Sequence, residues 1–402
     1  MAPALSGGGY SSEALAFAQG LAPLLQSKFT LRQFAEQPSE DFFSGLPESF
    51  RELLMARLEL PNAQPVQKGT AVVCHSPPDA WLPSKFPGWD QLSPCPPPGA
   101  KFAIGRTMYE TDGVPGEWVA RCNRLDSVWV PTEFHRLSFL RAGVEAHKLV
   151  VVGEPVDGAF FDPAKVTAPY YLSPPIGRPF RFLSVFKWEQ RKGWDALLAA
   201  YYAEFKPEER VELVLKTRAF HSSDDFEGLI ASFVAERGLP RGRSERAAVR
   251  VLGEDLQLEE LRALYAAADC FVLPSRGEGW GRPHVEAMSM GLPVIATNWS
   301  GPTAFLDESV GYPLEYSLEA VPADLNLPGH HWAEPSVEHL RKLMRRVYER
   351  REEATKRGTA ARARMLAEYS PEVLAARTVE AVQESRRRVR EHRESVHAKA
   401  EL

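Results

Sequence analysis

The chain has 402 residues, 44% hydrophobic and 25% charged, with a formal net charge of −5. That length suits two cores better than one, and the acidic balance excludes the basic footprint of a nucleic-acid binder. No apolar run reaches the ~18–20 residues of a membrane helix, and residues 1–5 lack the basic and apolar regions of a signal peptide, so a cytoplasmic protein with at most peripheral membrane contact is expected.

The first element is abrupt. Ser6-Gly7-Gly8-Gly9 leads through Ser11 or Ser12, either a suitable N-cap, and Glu13 into an alanine- and leucine-rich helix over 14–25. A glycine loop that opens a helix makes a phosphate cradle, because bare N–H groups and the helix dipole both favour an anion. Such a loop normally follows a strand. The chain leaves no room for one, so the first strand is expected to be missing. Apolar runs at 69–75, 101–107, 127–131 and 148–152 read as strands, with a Pro-rich loop over 93–99 and a helix over 133–142. The four cysteines, Cys74, Cys95, Cys122 and Cys270, form no CxxC pair and read as ordinary buried thiols.

Residues 161–179 carry five prolines and mark a linker. Alternation then restarts, with strands at 181–186, 211–216, 248–252, 270–274 and 293–297 and helices over 193–205, 224–237, 258–267 and 284–290. Short Leu- and Val-rich strands separated by helices are those of a parallel sheet covered on both faces. The predicted fold is α/β: two doubly wound Rossmann-like domains, 1–165 and 178–370, facing a central cleft and binding ligand at the carboxyl ends of their strands. A helix over 372–402 is expected to pack back on the first domain. Its arginines alternate with glutamates, which favours a solvated face over a membrane or nucleic-acid surface. The last four residues, Lys399-Ala400-Glu401-Leu402, are only faintly like an ER-retrieval signal.

Chemistry concentrates in 271–297. A buried strand ends at Pro274, and the loop after it holds Gly277, Glu278, Gly279, Trp280 and Gly281 before a helix bearing Glu286. Gly279 and Gly281 let the backbone approach a ligand. Glu278 at the strand end and Glu286 in the first helical turn can face one cavity. A carboxylate that accepts two hydrogen bonds suits the paired hydroxyls of a ribose or hexose. Alone, each would read as a loop acid and a helix N-terminal acid; the strand–loop–helix–strand setting points instead to a site.

This segment resembles the E-x7-E motif of retaining, GT-B-fold glycosyltransferases of family 4, with Glu278 and Glu286 as its glutamates. The run Lys187-Trp188-Glu189-Gln190-Arg191-Lys192-Gly193 is similar to that family's strand-end pattern of a basic residue followed by Lys-Gly. The resemblance implies that Lys187 and Lys192 bind the donor diphosphate, Lys187 as a point charge where Arg is commoner. It further implies donor contacts from Gly8, Gly9, Gly279, Trp280 and Gly281, and it extends through 106–112 and 126–132. For a catalytic group in the first half it leaves His75 at a strand end, with Glu110 and His135 behind it. One departure is clear: the family's Gly-Gly-x-x-Glu loop stands here as Ser300-Gly301-Pro302-Thr303-Ala304, without its acid.

What the resemblance implies is transfer of a hexosyl group from a UDP- or GDP-sugar, with retention. The acceptor would be a glycan, lipid, protein or small molecule. The nucleotide sugar is a co-substrate, and no cofactor or metal is expected. A catalytically silent donor-binding scaffold and an epimerase or hydrolase on the same fold are the alternatives.

Overall fold

The computed structural model describes residues 1–59, 66–86, 94–167, 170, 172, 177–240 and 242–400. The start of the predicted Pro-rich loop, residues 168–169, 171 and 173–176 of the predicted linker, and the last two residues of the terminal tetrapeptide lie outside them. The chain divides into two compact units. One is Met1–Val156 with Val321–His330 and Glu368–Leu402; the other is Asp157–Ala320 with His331–Ala367.

In the first unit, α1 (Gly9–Leu25), β1 (Leu31–Arg32), α2 (Glu40–Ser44), α3 (Glu48–Arg57) and β2 (Leu58–Glu59) precede a parallel sheet. That sheet runs β3 (Val72–His75), β4 (Ala103–Arg106), β5 (Ser127–Val130) and β6 (Leu149–Val151) in chain order. Two helices, α4 (Gly116–Arg124) and α5 (Glu133–Ala142), link its later strands. Successive side chains point to opposite faces. Val72, Cys74, Val128, Val130 and Leu149 therefore join Trp118 and Phe139 in one core, while Ile104, Trp129, Val150 and Val152 form another.

Two expectations meet the structure here. Met1 and Ala2 pair ahead of the glycine loop, Ala2 in an isolated bridge to Gln33. The N–H of Ala2 donates to Arg32 O (3.0 Å), that of Phe34 to Ala2 O (3.1 Å), and that of His75 to Met1 O (2.9 Å). Two residues thereby join β1 to β3. Likewise, Cys74 and Cys95 form a disulfide with Cα atoms 5.7 Å apart, leaving Cys122 and Cys270 as free buried thiols. A pairing of this kind depends on the loop returning to the end of β3, which spacing cannot show.

The second unit holds a six-stranded parallel sheet of β7 (Phe180–Trp188), β8 (Val211–Ala219), β9 (Ala248–Leu252), β10 (Cys270–Leu273), β11 (Val294–Thr297) and β12 (Tyr312–Leu314). Its spatial order is β12-β11-β10-β7-β8-β9. Four helices connect these strands: α6 (Trp194–Glu204), α7 (Phe226–Glu236), α8 (Leu258–Ala266) and α9 (Arg282–Ser289). An antiparallel pair, β13 (Tyr316–Ala320) and β14 (His331–Pro335), and helices α10 (Val337–Glu349) and α11 (Arg351–Glu368) follow.

The last helix, α12 (Pro371–Ala400), belongs to the first unit and buries Leu374, Ala375, Thr378, Ala381, Ser385 and Val389. Ser385 Oγ meets Ser127 Oγ (2.9 Å) and Trp129 Nε1 (3.0 Å). The first unit ends at Val156, ahead of the predicted join, because Arg362 binds the next residues into the second unit through the Phe161 carbonyl (3.0 Å). Among the described residues, no helix is long and apolar enough to cross a membrane.

Candidate functional site

Strands β7 and β10 are hydrogen-bonded neighbours, yet the chain leaves them toward opposite edges of the sheet. Such a reversal opens a crevice at the carboxyl ends, where doubly wound sheets bind ligands. Two loops meet there, 189–193 after β7 and 274–281 after β10. Gly193 has φ +66°, and a Cβ added to it would stand 2.0 Å from the Pro274 carbonyl oxygen. Only glycine lets the loops close this far.

The contact brings Lys192 onto Glu278. Lys192 Nζ lies 2.8 Å and 2.7 Å from the two carboxylate oxygens. Arg191 donates to the Gly277 carbonyl (2.6 Å) and to Glu189 (2.7 Å), and stands 3.6 Å from Glu278. Glu278 is 5% exposed. Burial would push its pKa up, but Lys192, Arg191 and His284 hold it down at about 2. It is a carboxylate throughout the physiological range.

Residues the sequence did not flag hold this pair in place. Buried Arg276 bonds Asp195 (2.8 Å to each oxygen) and Glu334 (2.6 and 2.8 Å), and its guanidinium lies over Trp332. Ser300 sits at φ 55°, ψ −131°, a conformation that favours glycine. Its Oγ accepts the Glu278 N–H (2.9 Å). Ser300 thus fixes the backbone of Glu278.

Other residues that the resemblance implied for a donor lie in the same unit. Helix α9 starts at Arg282, two residues earlier than predicted, because Gly281 at φ +113° turns the loop and Pro283 suits the first turn. Glu286 therefore lies in the second turn. It accepts from the Tyr265 hydroxyl (3.0 Å), and burial raises its pKa against the pull of Arg282 and Tyr265. Burial also lowers His284 to about 4, which keeps it neutral at pH 7. The Trp280 indole is buried against Phe305, with ring centroids 5.1 Å apart. Lys187 lies 4.5 Å from the Phe220 ring centre, and burial, then Arg218, lowers its pKa. Lys187, Arg191, Lys192 and Arg218 make a cationic patch beside an ionised carboxylate. Such a patch can hold a diphosphate.

Gly8, Gly9, His75 and Glu110 lie in the first unit. Helix α1 begins at Gly9 with Gly8 as its N-cap; Ser11, one predicted cap, instead donates to the Pro3 carbonyl. A Cβ at Gly8 would stand 3.6 Å from the Glu36 carboxylate, so a chain carboxylate already lies by this helix start. His75 Nε2 meets buried Glu13 (2.8 Å), which also binds Arg106 at 2.8 and 2.7 Å. Against burial, Arg106 and His75 hold the Glu13 pKa at about 2. The Tyr10 ring stands edge-on to His75 at 5.2 Å, and the charge of Glu110 acts on the same tyrosine. Buried His135 bonds Thr132 Oγ1 (2.7 Å), the cap of α5. Glu13 had one readable signal, a lone acid in an otherwise apolar helix.

Residues 179–319 match the family of glycosyl transferases group 1. The O-antigen chain mannosyltransferase B of Escherichia coli is 35% identical over 143 residues, covering 36% of this chain and 33% of that protein. The MMP alpha-(1->4)-mannosyltransferase of Mycolicibacterium hassiacum is 30% identical over 188 residues, covering 47% and 39%. The chain thus spans about a third to two-fifths of the length of these curated relatives. Anabaena Alr3699/HepE, solved in complex with UDP and glucose, superposes with a TM-score of 0.63 at 15% identity, over 94% of this chain and 97% of that one. That likeness is one of fold.

Proposed function

We propose, on the premise that this chain belongs to the group 1 glycosyltransferases of GT-B fold, that it moves a hexosyl group from a nucleoside diphosphate sugar to an acceptor with retention at the anomeric carbon. The observation that carries this reading is the Lys192–Glu278 contact at the β7/β10 switch point, a buried ionised carboxylate beside a patch of cations. The mannosyltransferase relatives and the UDP- and glucose-bound neighbour support a nucleotide-sugar donor.

In this mechanism charge builds on the departing diphosphate. Lys187, Arg191 and Lys192 stabilise it from positions already held by the fold, which is where fixed charges lower a barrier most. A diphosphate competes with Glu278 for Lys192, so donor binding frees carboxylate oxygens to accept hydrogen bonds from the sugar hydroxyls and orient the anomeric carbon. Glu286, with one oxygen on Tyr265, takes the ribose hydroxyls through the other. The acceptor attacks from the face the phosphate leaves, which retains configuration without a covalent nucleophile. On the acceptor side, His75, oriented by Glu13, and Glu110 are the assigned polar groups. No metal enters this scheme, so turnover should survive EDTA.

Thermal-shift screening against UDP-, GDP- and ADP-sugars identifies the donor, because a tight ligand raises stability by mass action. NMR of the product then reads the anomer. Glu278→Gln should lower kcat by about 10²-fold or more in a variant that circular dichroism shows to be folded. Near-wild-type turnover in that variant, or an inverted product, would overturn the assignment.

A further inference from the structure

The first unit brings together Glu145, His147 and His392. Glu145 precedes the short turn Ala146–Lys148 that leads into β6, and His392 lies near the end of α12. The two imidazoles stack with centroids 3.7 Å apart and planes 9° from parallel. One ligand atom from each of the three residues falls within 4.8 Å of the others, and His147 Nδ1 is 3.5 Å from Glu145 Oε2.

We propose that Glu145, His147 and His392 bind a late first-row divalent ion such as Zn²⁺, which pins the end of α12 to the turn before β6. Two imidazole nitrogens and one carboxylate oxygen suit Zn²⁺, Ni²⁺ or Cu²⁺, whereas Mg²⁺ and Ca²⁺ require oxygen-rich sets. Three protein donors leave a fourth tetrahedral position for water. Ligands of one ion must approach to roughly 3–3.5 Å of each other, given bonds of about 2.0–2.2 Å. Because each imidazole lone pair lies in its own ring plane, the two partly exposed rings must swing out of their parallel stack to converge on one ion.

The position gives the site a physical purpose. Apolar packing of α12 ends at Val389, and residues 390–400 are all exposed. Past that point the contacts of the helix include the imidazole stack and an Arg393–Asp126 pair (3.3 Å) whose arginine is 73% exposed. Helix ends without apolar cover open readily. A metal bridge at His392 would add a strong tether where the apolar one stops.

The test is calorimetric titration of the whole chain with ZnCl2, with MgCl2 as control, on the wild type, His147→Ala and His392→Ala. Circular dichroism confirms that both variants are folded. The wild type should show one saturable Zn²⁺ site that either substitution weakens at least about tenfold. At a hundredfold excess over Kd, Zn²⁺ should raise the wild-type Tm by about 2–5 °C and slow amide exchange over residues 390–397; Mg²⁺ should do neither. No saturable Zn²⁺ site in the wild type, or equal affinity in both variants, would overturn the proposal.

Discussion

Lys192 is the largest of the charges that keep buried Glu278 ionised. A buried carboxylate stripped of its partner costs about 3–5 kcal/mol if it stays ionised, so it takes up a proton instead. Because the folded pKa of Glu278 is about 2, below the ordinary 4.5, the pair stabilises the fold above pH 4.5. That stabilisation fades as pH falls toward 2. Lys192→Met should therefore move the acid-unfolding midpoint up by about one pH unit, as followed by circular dichroism. An unchanged midpoint would mean the ammonium is not what holds the carboxylate. Both residues were legible in the sequence because the motif spacing is local. Arg276 and Ser300 were not, since their importance lies in partners that only folding supplies: Glu334 for Arg276, the Glu278 amide for Ser300.

Among the elements, two were read most faithfully, one an edge strand and one a helix. The run at 248–252 is β9 and the helix over 133–142 is α5, residue for residue. Continuous apolar runs bounded by turns are a strong signal. Of the stretches that escaped, Met1–Ala2, β1 and β2 are two residues each, too short for any period to register; α2 to α4, β12 to β14, α10 and α11 were not read either. The loop after β7 shows how much one residue can decide for an element. Gly193→Ala places a Cβ against the Pro274 carbonyl at a positive φ, so the loop must shift and carry Lys192 with it. Strain of that kind is on the order of 1–3 kcal/mol. Urea unfolding should show a loss of about 2–4 kcal/mol, and donor KM should rise about tenfold. A variant with wild-type stability and KM would show that the loops meet less closely than described.

At the scale of the molecule, each unit carries its own sheet, and α12 completes the first one from the far end of the chain. Gly20 of α1 makes that packing close: a Cβ there would stand 1.9 Å from the Pro371 carbonyl oxygen. Truncation before Pro371 uncovers this face and removes the Ser385 hydroxyl from Trp129 and Ser127. Differential scanning calorimetry should then show the first unit's transition lowered by at least about 10 °C with that of the second intact, since unpartnered buried groups and lost apolar cover act together. Two unchanged transitions would reduce α12 to an appendage. The sequence by itself determined the alternation of buried strands and helices, the two-sheet plan and the motif that marks the switch point, because each is written within a dozen or so neighbouring residues. Only the tertiary structure decided that Cys74 meets Cys95 across 21 positions, that Glu13 meets Arg106 across 93, and that His147 stacks on His392. Such pairings depend on where a closed chain returns, and local periodicity carries no record of that.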